Sequence, residues 1–538
     1  MRQPNLMSPT IRQATPADTA LWLDLLTTTL GSELPDKQVL LPTWVGAQFA
    51  PGSTSTSWVA EVSGRLHASV TCLPSGPGNP NPVLHLGRQL VRPEGYVDGS
   101  AELLLRQVLE RAPSQIPLVR VLASDKAQQG LFETLGFVCA GFLPCQHQLR
   151  VREGALFYVG RGPGELAARL PWCEALPQIR ELASTVLEQL GLPSALMAFD
   201  GVVGYPLPAD VSLHDASFDD FGLWRLQAQA ISPLVEIPTG FNRGCGLMRI
   251  EAESPLRAVL AQREARIVAG LAYQVDESDR CMRLLEAFTT DDLSMGALMH
   301  RAVKIAQEQM NCIGVEVDIL ATAPRLLKCA EQLGFSPTAY LAGFYHRDGQ
   351  RIDVVKLVKL NAVYSLDHTD FTPHARRIVE LVNRNFEDFR LGQATVNLLR
   401  SQSIFAGLGD GDLRKIARLC VQRLYRPGER VFNKGDAGNE AYVVMRGQVD
   451  LYLDELAKPV GSVTSGQIFG EFAFLEDSPR NAAAFASQAS ILLLLQRASF
   501  NDLIQREPQV GVVFLRNIAQ DLSQKLRKAS ATIAALRK

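Results

Sequence analysis

Phe469-Gly470-Glu471-Phe472-Ala473-Phe474-Leu475-Glu476-Asp477-Ser478-Pro479-Arg480-Asn481-Ala482 lies near the C-terminus, and its reading decides how that part of the chain folds. The guanidinium of Arg480 presents a planar fork that matches a phosphate. A short helix beginning at Gly470 would turn free N–H groups and its positive dipole end toward the same oxygens, and glycine lets the backbone come close. Glu471 can accept a hydrogen bond from a sugar hydroxyl. Burying either charge alone is costly, so the pair suits a ligand that satisfies both.

Outward from this stretch, turn signals at Arg426-Pro427-Gly428, Lys434-Gly435-Asp436, Arg446-Gly447-Gln448 and Ser465-Gly466-Gln467 separate short β-rich runs such as Ala441–Met445 and Val449–Leu453. Strands at this spacing predict a β-sandwich or jelly roll. From Pro508 the pattern is helical, with Val510, Phe514, Ile518, Leu522 and Leu526 on one stripe. That stripe is longer than a pocket lid needs, so it is expected to pack on another surface or to form a homodimer.

The stretch resembles the phosphate-binding cassette of the cyclic-nucleotide-binding domain superfamily, and the resemblance runs from about Ile404 to the end, with Gly435-Asp436 and Gly447 in place. It implies that Phe469, Gly470, Glu471, Arg480, Asn481 and Ala482 hold a cyclic nucleotide as effector, cAMP ahead of cGMP. Glu471 would take the ribose and Arg480 the phosphate. Asn481 departs from the family's usual Ala, Ser or Thr, which bears on base selectivity. The alternative is a jelly roll in which Glu471 and Arg480 form an internal salt bridge. Many relatives carry a helix-turn-helix after the terminal helix; too few residues follow Pro508 for one, so no nucleic-acid partner is expected.

The first two thirds of the chain contain a repeat. Leu131-Phe132-Glu133-Thr134-Leu135-Gly136-Phe137 recurs as Cys329-Ala330-Glu331-Gln332-Leu333-Gly334-Phe335. Each copy follows a β-type run (Leu118–Leu122, Val315–Leu320) and, before it, a helix-period stretch (Leu103–Ala112, Leu298–Gln309). This order predicts duplicated α/β units with some parallel strand pairing; two unrelated units sharing a glycine helix cap is the alternative. Gly160 to Gly164 reads as a break, 166–192 as a helix, and Thr372-Pro373 as the start of a packed linker helix with Ile378, Val382, Phe386 and Phe389 on one face.

Leu84 to Leu105, with Val91-Arg92-Pro93 and then Tyr96-Val97-Asp98-Gly99-Ser100-Ala101, resembles the GNAT acetyltransferase superfamily. The resemblance implies that Val91, Gly99, Ser100 and Ala101 hold acetyl-CoA or another acyl-CoA through its pyrophosphate. Tyr96 and Val97 depart from the usual Arg or Gln and Gly, and Phe132 replaces the usual tyrosine acid, which Phe cannot perform. The second copy is more eroded: Leu285-Glu286-Ala287-Phe288 would be its fourth strand, Asp291 to Gly296 is acidic where pyrophosphate would sit, and Ala330 holds its tyrosine position. Glu94 and Glu286 are the candidate general bases.

The expected architecture is therefore multidomain α/β plus β: a GNAT-type domain over 10–160, a helical connector over 161–207, a degenerate GNAT-like domain over 208–362, a linker helix over 363–402 and a cyclic-nucleotide-binding jelly roll with terminal helices over 403–538. The expected function is a cyclic-nucleotide-responsive acyltransferase acting on an amine, plausibly a protein lysine, with a non-catalytic signalling adaptor as the alternative. Within 538 residues, 54 Lys and Arg nearly balance 56 Asp and Glu, which argues against nucleic-acid or anionic-membrane binding through a basic surface. The longest apolar run is only strand length, and Met1 to Pro9 holds no signal-peptide core. Nine scattered cysteines, and eight histidines without metal-ligand spacing, fit reduced thiols in a cytoplasmic protein without a metal site.

Overall fold

The computed structural model describes residues 8–536, except 33, 35, 54, 74–82, 114, 150–151, 161–164, 172–173, 199–201, 209, 230–235, 239–247, 249–254, 401, 409, 454–457, 477 and 507. The expected break at Gly160 to Gly164 lies almost wholly outside the described residues. The chain forms two compact units, Met1–Asn385 and Phe386–Lys538.

The first unit is built on one sheet of fourteen strands. The first half supplies β1 (Thr10–Gln13), β2 (Thr56–Val62), β3 (Arg65–Leu73), β4 (Val83–Val91), β5 (Ile116–Leu122), β6 (Val138–Gln148) and β7 (Arg152–Val159). The second supplies β8 (Ser212–Ser217), β9 (Arg257–Arg263), β10 (Arg266–Asp276), β11 (Cys281–Thr289), β12 (Gly314–Leu320), β13 (Ser336–Arg347) and β14 (Gln350–Leu360). Their order across the sheet is β1-β2-β3-β4-β5-β7-β6-β13-β14-β12-β11-β10-β9-β8, which reads the same from either edge. Two two-residue strands, Glu174–Ala175 and Met197–Ala198, pair separately.

The repeat read in the sequence is a repeat of structure. In each half one strand pair is parallel: β4 with β5 and β11 with β12, each over four residues. The helices α1 (Ser100–Glu110), α2 (Lys126–Thr134), α3 (Met295–Lys304) and α4 (Pro324–Gln332) occupy matching places between those strands. The two Leu-Gly-Phe motifs close their helices identically. Gly136 and Gly334 adopt φ of +83° and +94°, and Phe137 N–H bonds Phe132 C=O at 3.0 Å as Phe335 N–H bonds Ala330 C=O at 2.9 Å. The expected helix over 166–192 is shorter, Pro177–Gln189, because proline at its first turn supplies no N–H to extend it backward.

The halves meet where Ala339 of β13 faces Gly141 of β6. A Cβ on Gly141 would lie 2.1 Å from the Ala339 Cβ and 2.5 Å from the Thr338 carbonyl, so no larger residue fits. Near this seam the sheet holds a buried charge cluster. Arg283 reaches Asp276 at 3.4 Å and Glu316 at 3.8 Å, while Lys356 lies 2.8 Å from Asp318.

The linker helix runs over Pro373–Arg400, with Thr372 Oγ1 accepting from Ala375 N–H at 3.2 Å. Ile378, Val382 and Phe386 are buried; the side chain of Phe389 lies outside the described ones. The second unit is a jelly roll of two four-stranded sheets. Cys420–Tyr425, Ser490–Gln496, Glu440–Arg446 and Ile468–Phe469 form one; Arg430–Phe432, Ala483–Ala486, Gln448–Tyr452 and Gly461–Thr464 form the other. Helices Asp410–Leu419, Arg497–Arg506 and Pro508–Leu536 complete it, and Val510, Phe514 and Ile518 join its core. Leu526, expected on the same stripe, is 68% exposed. No helix among the described residues is long and apolar enough to cross a membrane, and the seven described cysteines are unpaired.

Gly141→Val should destabilise the first unit by about 1–3 kcal/mol or more through overpacking at the seam, seen as a fall in Tm. Gly130→Ala, where an added Cβ meets nothing within 4 Å, should leave Tm unchanged or raise it.

Candidate functional site

The cassette read in the sequence folds as a strand, a left-handed glycine and one short helix. Ile468–Phe469 ends at Gly470, whose φ is +73°, and the helix Glu471–Glu476 follows. A Cβ on Gly470 would lie 2.6 Å from Arg480 Nη1, so the glycine is needed both for its conformation and for the guanidinium beside it. Gly438 leaves room on the other side, where a Cβ would meet Arg480 Nε at 2.4 Å.

Arg480 is 5% exposed. Its main chain is clasped by the Gly435-Asp436 turn: Gly435 N–H donates to Arg480 C=O at 2.8 Å and Arg480 N–H to Asp436 C=O at 2.9 Å. Its guanidinium lies 4.4 Å from the centre of the Phe432 ring and 5.4 Å from that of Tyr442, and Phe469 stacks on both rings. Nη1 donates to the Gly470 carbonyl at 2.9 Å, whereas Nε has no hydrogen-bond partner among the described residues. Burial pushes the Arg480 pKa down, opposed by Tyr442, Glu440 and Asp436. This is a desolvated cation backed by aromatic faces and short of acceptors.

Glu471 is 3% exposed. Its partner is Lys525 of the terminal helix, whose Nζ donates to Glu471 Oε1 at 2.9 Å and to the Ile468 carbonyl at 2.7 Å. The reading in which Glu471 and Arg480 neutralise each other is therefore replaced: each faces a different group. Phe469 is buried, Ala482 half-buried and Asn481 exposed. The sequence had shown neither the role of Lys525, a lone cation within the apolar stripe of its helix seven residues after Ile518, nor the Phe432–Tyr442 platform, whose rings come from two different strands. A shallow cavity of about 380 Å³ elsewhere in the jelly roll, against Asp450, Tyr452 and Phe485, touches none of these residues.

In the first unit, the expected cofactor residues gather at the N-terminus of α1. Val91 ends β4, Gly99 is left-handed with φ +74°, and Ser100 and Ala101 are buried. The Ser100 amide is already taken by Asp98 Oδ1 at 2.8 Å, and Asp98 Oδ2 lies 2.6 Å from His67 Nδ1. Burial works against ionisation of Asp98, but its bonds from Ser100 and His67 outweigh that and hold its pKa below the usual carboxylate value. A carboxylate occupies the positive end of the helix, where a pyrophosphate would have to sit. The second half repeats the arrangement: Asp291 Oδ1 accepts from Leu293 and Ser294 N–H at 3.0 and 2.8 Å. A Cβ on Gly296 would lie 2.7 Å from the Pro206 carbonyl, so that chain segment covers the helix start. At both helix starts a carboxylate of the chain thus takes backbone amides that a pyrophosphate would use.

Glu94 is exposed, and Glu286 is ion-paired with Arg225. Phe132 is buried edge-on against Phe137, with ring centres 5.1 Å apart, and Ala330 is buried.

Residues 422–507 match the family model described as the cyclic nucleotide-binding domain. The chain is 31% identical over 134 residues to the Cyclic AMP receptor protein of Thermus thermophilus, covering 24% of this chain and 60% of that protein. It is 28% identical over 146 residues to the cGMP-dependent protein kinase of Plasmodium berghei, covering 27% of this chain and 16% of that protein. Among solved structures, Thermus thermophilus Catabolite Activator Protein aligns at 29% identity over 25% of this chain and 63% of its own, with a TM-score of 0.23. The chain thus spans less than two thirds of the length of these relatives. Its C-terminal region is a cyclic nucleotide-binding domain.

Lys525→Met should destabilise the ligand-free C-terminal domain by roughly 1–3 kcal/mol, because Glu471 is left buried without its partner. In a Glu471→Gln background the same substitution should cost little, and thermal melts of the four proteins give the coupling directly.

Proposed function

We propose that the chain is a cyclic-nucleotide-responsive protein whose C-terminal domain binds cAMP in preference to cGMP. The observation that carries this reading is the Arg480 guanidinium, buried, stacked on Phe432 and with Nε unpartnered among the described residues. A buried cation in that condition is costly, and a phosphate anion supplies the missing acceptors with matching geometry. Glu471 would exchange Lys525 for a ribose hydroxyl. Of the two curated relatives named above, the more similar is a receptor for cyclic AMP.

We read the first unit, over 10–160 and 208–362, as two acyltransferase-like halves that bind ligands or partners instead of transferring an acyl group. Three observations favour this adaptor over a lysine acyltransferase: Asp98 and Asp291 cap the two helix starts, Pro206 covers the second, and Phe132 and Ala330 stand where an acid would be. The helix Pro373–Arg400, whose residues are divided between the two units, is the element through which nucleotide binding would be relayed. Val512, Leu515 and Leu526 stand exposed on the terminal helix and would serve self-association.

Titration calorimetry of the full chain with cAMP should give saturable binding. Arg480→Ala should weaken it by about 1.5–3 kcal/mol, roughly 10- to 150-fold. Undiminished binding by that variant, or none by the wild type, overturns the nucleotide reading. Acetyl-CoA should give no saturable heat; tight binding abolished by Gly99→Glu would restore the acyltransferase.

A further inference from the structure

The parallel pairing of β4 with β5 ends at Leu86 and Val119, and beyond it the strands diverge. Arg88 marks the departure with φ +48°. A cavity of about 230 Å³ opens there. Its lining combines leucines, among them Leu86, Leu118 and Leu122, with Arg88, Arg120 and His147.

His147, on β6, is 2% exposed. Its Nδ1 lies 3.1 Å from Oδ2 of Asp279, which belongs to the turn between β10 and β11 in the other half. Asp279 is fixed in turn. Its Oδ1 accepts from Gln148 N–H at 3.1 Å, its carbonyl accepts from Arg152 Nη1 at 2.8 Å, and its own N–H donates to Asp276 Oδ1 at 3.1 Å. With the Asp279 carboxylate on Nδ1–H, the Nδ1-protonated tautomer presents Nε2 as an acceptor. That Nε2 is buried and has no hydrogen-bond partner among the described residues. A buried acceptor without a donor calls for a ligand or a water to supply one.

We propose that this cavity binds a small hydroxy acid with an apolar body, whose hydroxyl donates to His147 Nε2 and whose carboxylate is drawn by Arg88 and Arg120. The sign of the local field supports an anion. The His85 imidazole, also in the lining, is pushed down to about 4 by burial and then by the positive charges of Arg120 and Lys356. The competing acid, Asp125, has its pKa raised by burial. An amine-bearing ligand would instead face two guanidiniums. The leucines suit an apolar body, and a cavity of about 150 Å³ already accommodates benzene. The reading does not depend on nucleotide binding, because every residue it uses lies in the first unit.

Calorimetry on the nucleotide-free full chain with 3-phenyllactate tests it. Saturable binding is expected, at least about tenfold weaker for 3-phenylpropionate, which lacks the hydroxyl, and for the uncharged 3-phenyllactamide. His147→Phe should erase the preference for the hydroxyl compound. Thr29→Trp, which fills the cavity from the helix Thr19–Leu30 and leaves His147 and Asp279 themselves unaltered, should abolish binding of every probe. It keeps the test decisive should the buried His147 variant fail to fold. Absence of saturable heat with phenyllactate, equal affinity for phenyllactate and phenylpropionate in the wild type, or undiminished phenyllactate binding by Thr29→Trp would overturn the proposal.

Discussion

The close approach of Gly141 to Ala339 is the contact on which the N-terminal unit rests. Two strand edges that would otherwise be exposed are consumed by it, and an unpaired edge is a template for unwanted pairing. The two strands that form the seam are buried along almost their whole length. That position explains the charge cluster behind them. Burial alone would raise the pKa of Glu316, yet Arg283 and Lys356 bring it down to about 2. Such a group is tolerated only when its partners are held at fixed distances, which the double-sided packing provides.

In the C-terminal domain a cation is kept out of water by aromatic rings and glycines instead of by opposite charge. Phe432, Tyr442 and Phe469 form a platform under Arg480, and Gly438 and Gly470 remove the side chains that would displace it. The two helix starts of the first unit show the opposite arrangement. There the positive ends are already neutralised by Asp98 and Asp291. One site is left wanting an anion, while the other two carry one of their own.

Much of this was legible from local pattern. The Leu-Gly-Phe repeat announced the duplication because a left-handed glycine after a helix has few substitutes, and the same backbone bond closes both copies. The turn glycines marked the jelly roll for similar reasons. What stayed hidden depends on residues far apart in the chain. Gly-Ser-Ala at 99–101 resembled an anion-binding helix start, and nothing local revealed that Asp98 would fold back onto the Ser100 amide. Lys525 is 54 residues from Glu471 and the two rings beneath Arg480 come from separate sheets, so neither neighbour could be read from spacing. The pairing of His147 with Asp279 spans 132 residues.

The strand order of the large sheet is a palindrome, which is the arrangement a two-fold axis through Gly141 and Ala339 would generate. Two identical chains related by that axis would each have to carry every feature of the other. Joining the copies in one polypeptide removes this obligation. One half can then keep an imidazole while the other supplies the carboxylate that orients it, and each is free to lose what its twin retains. Asymmetry of that kind is open to a fused pair and closed to a symmetric homodimer, whose every change is made twice.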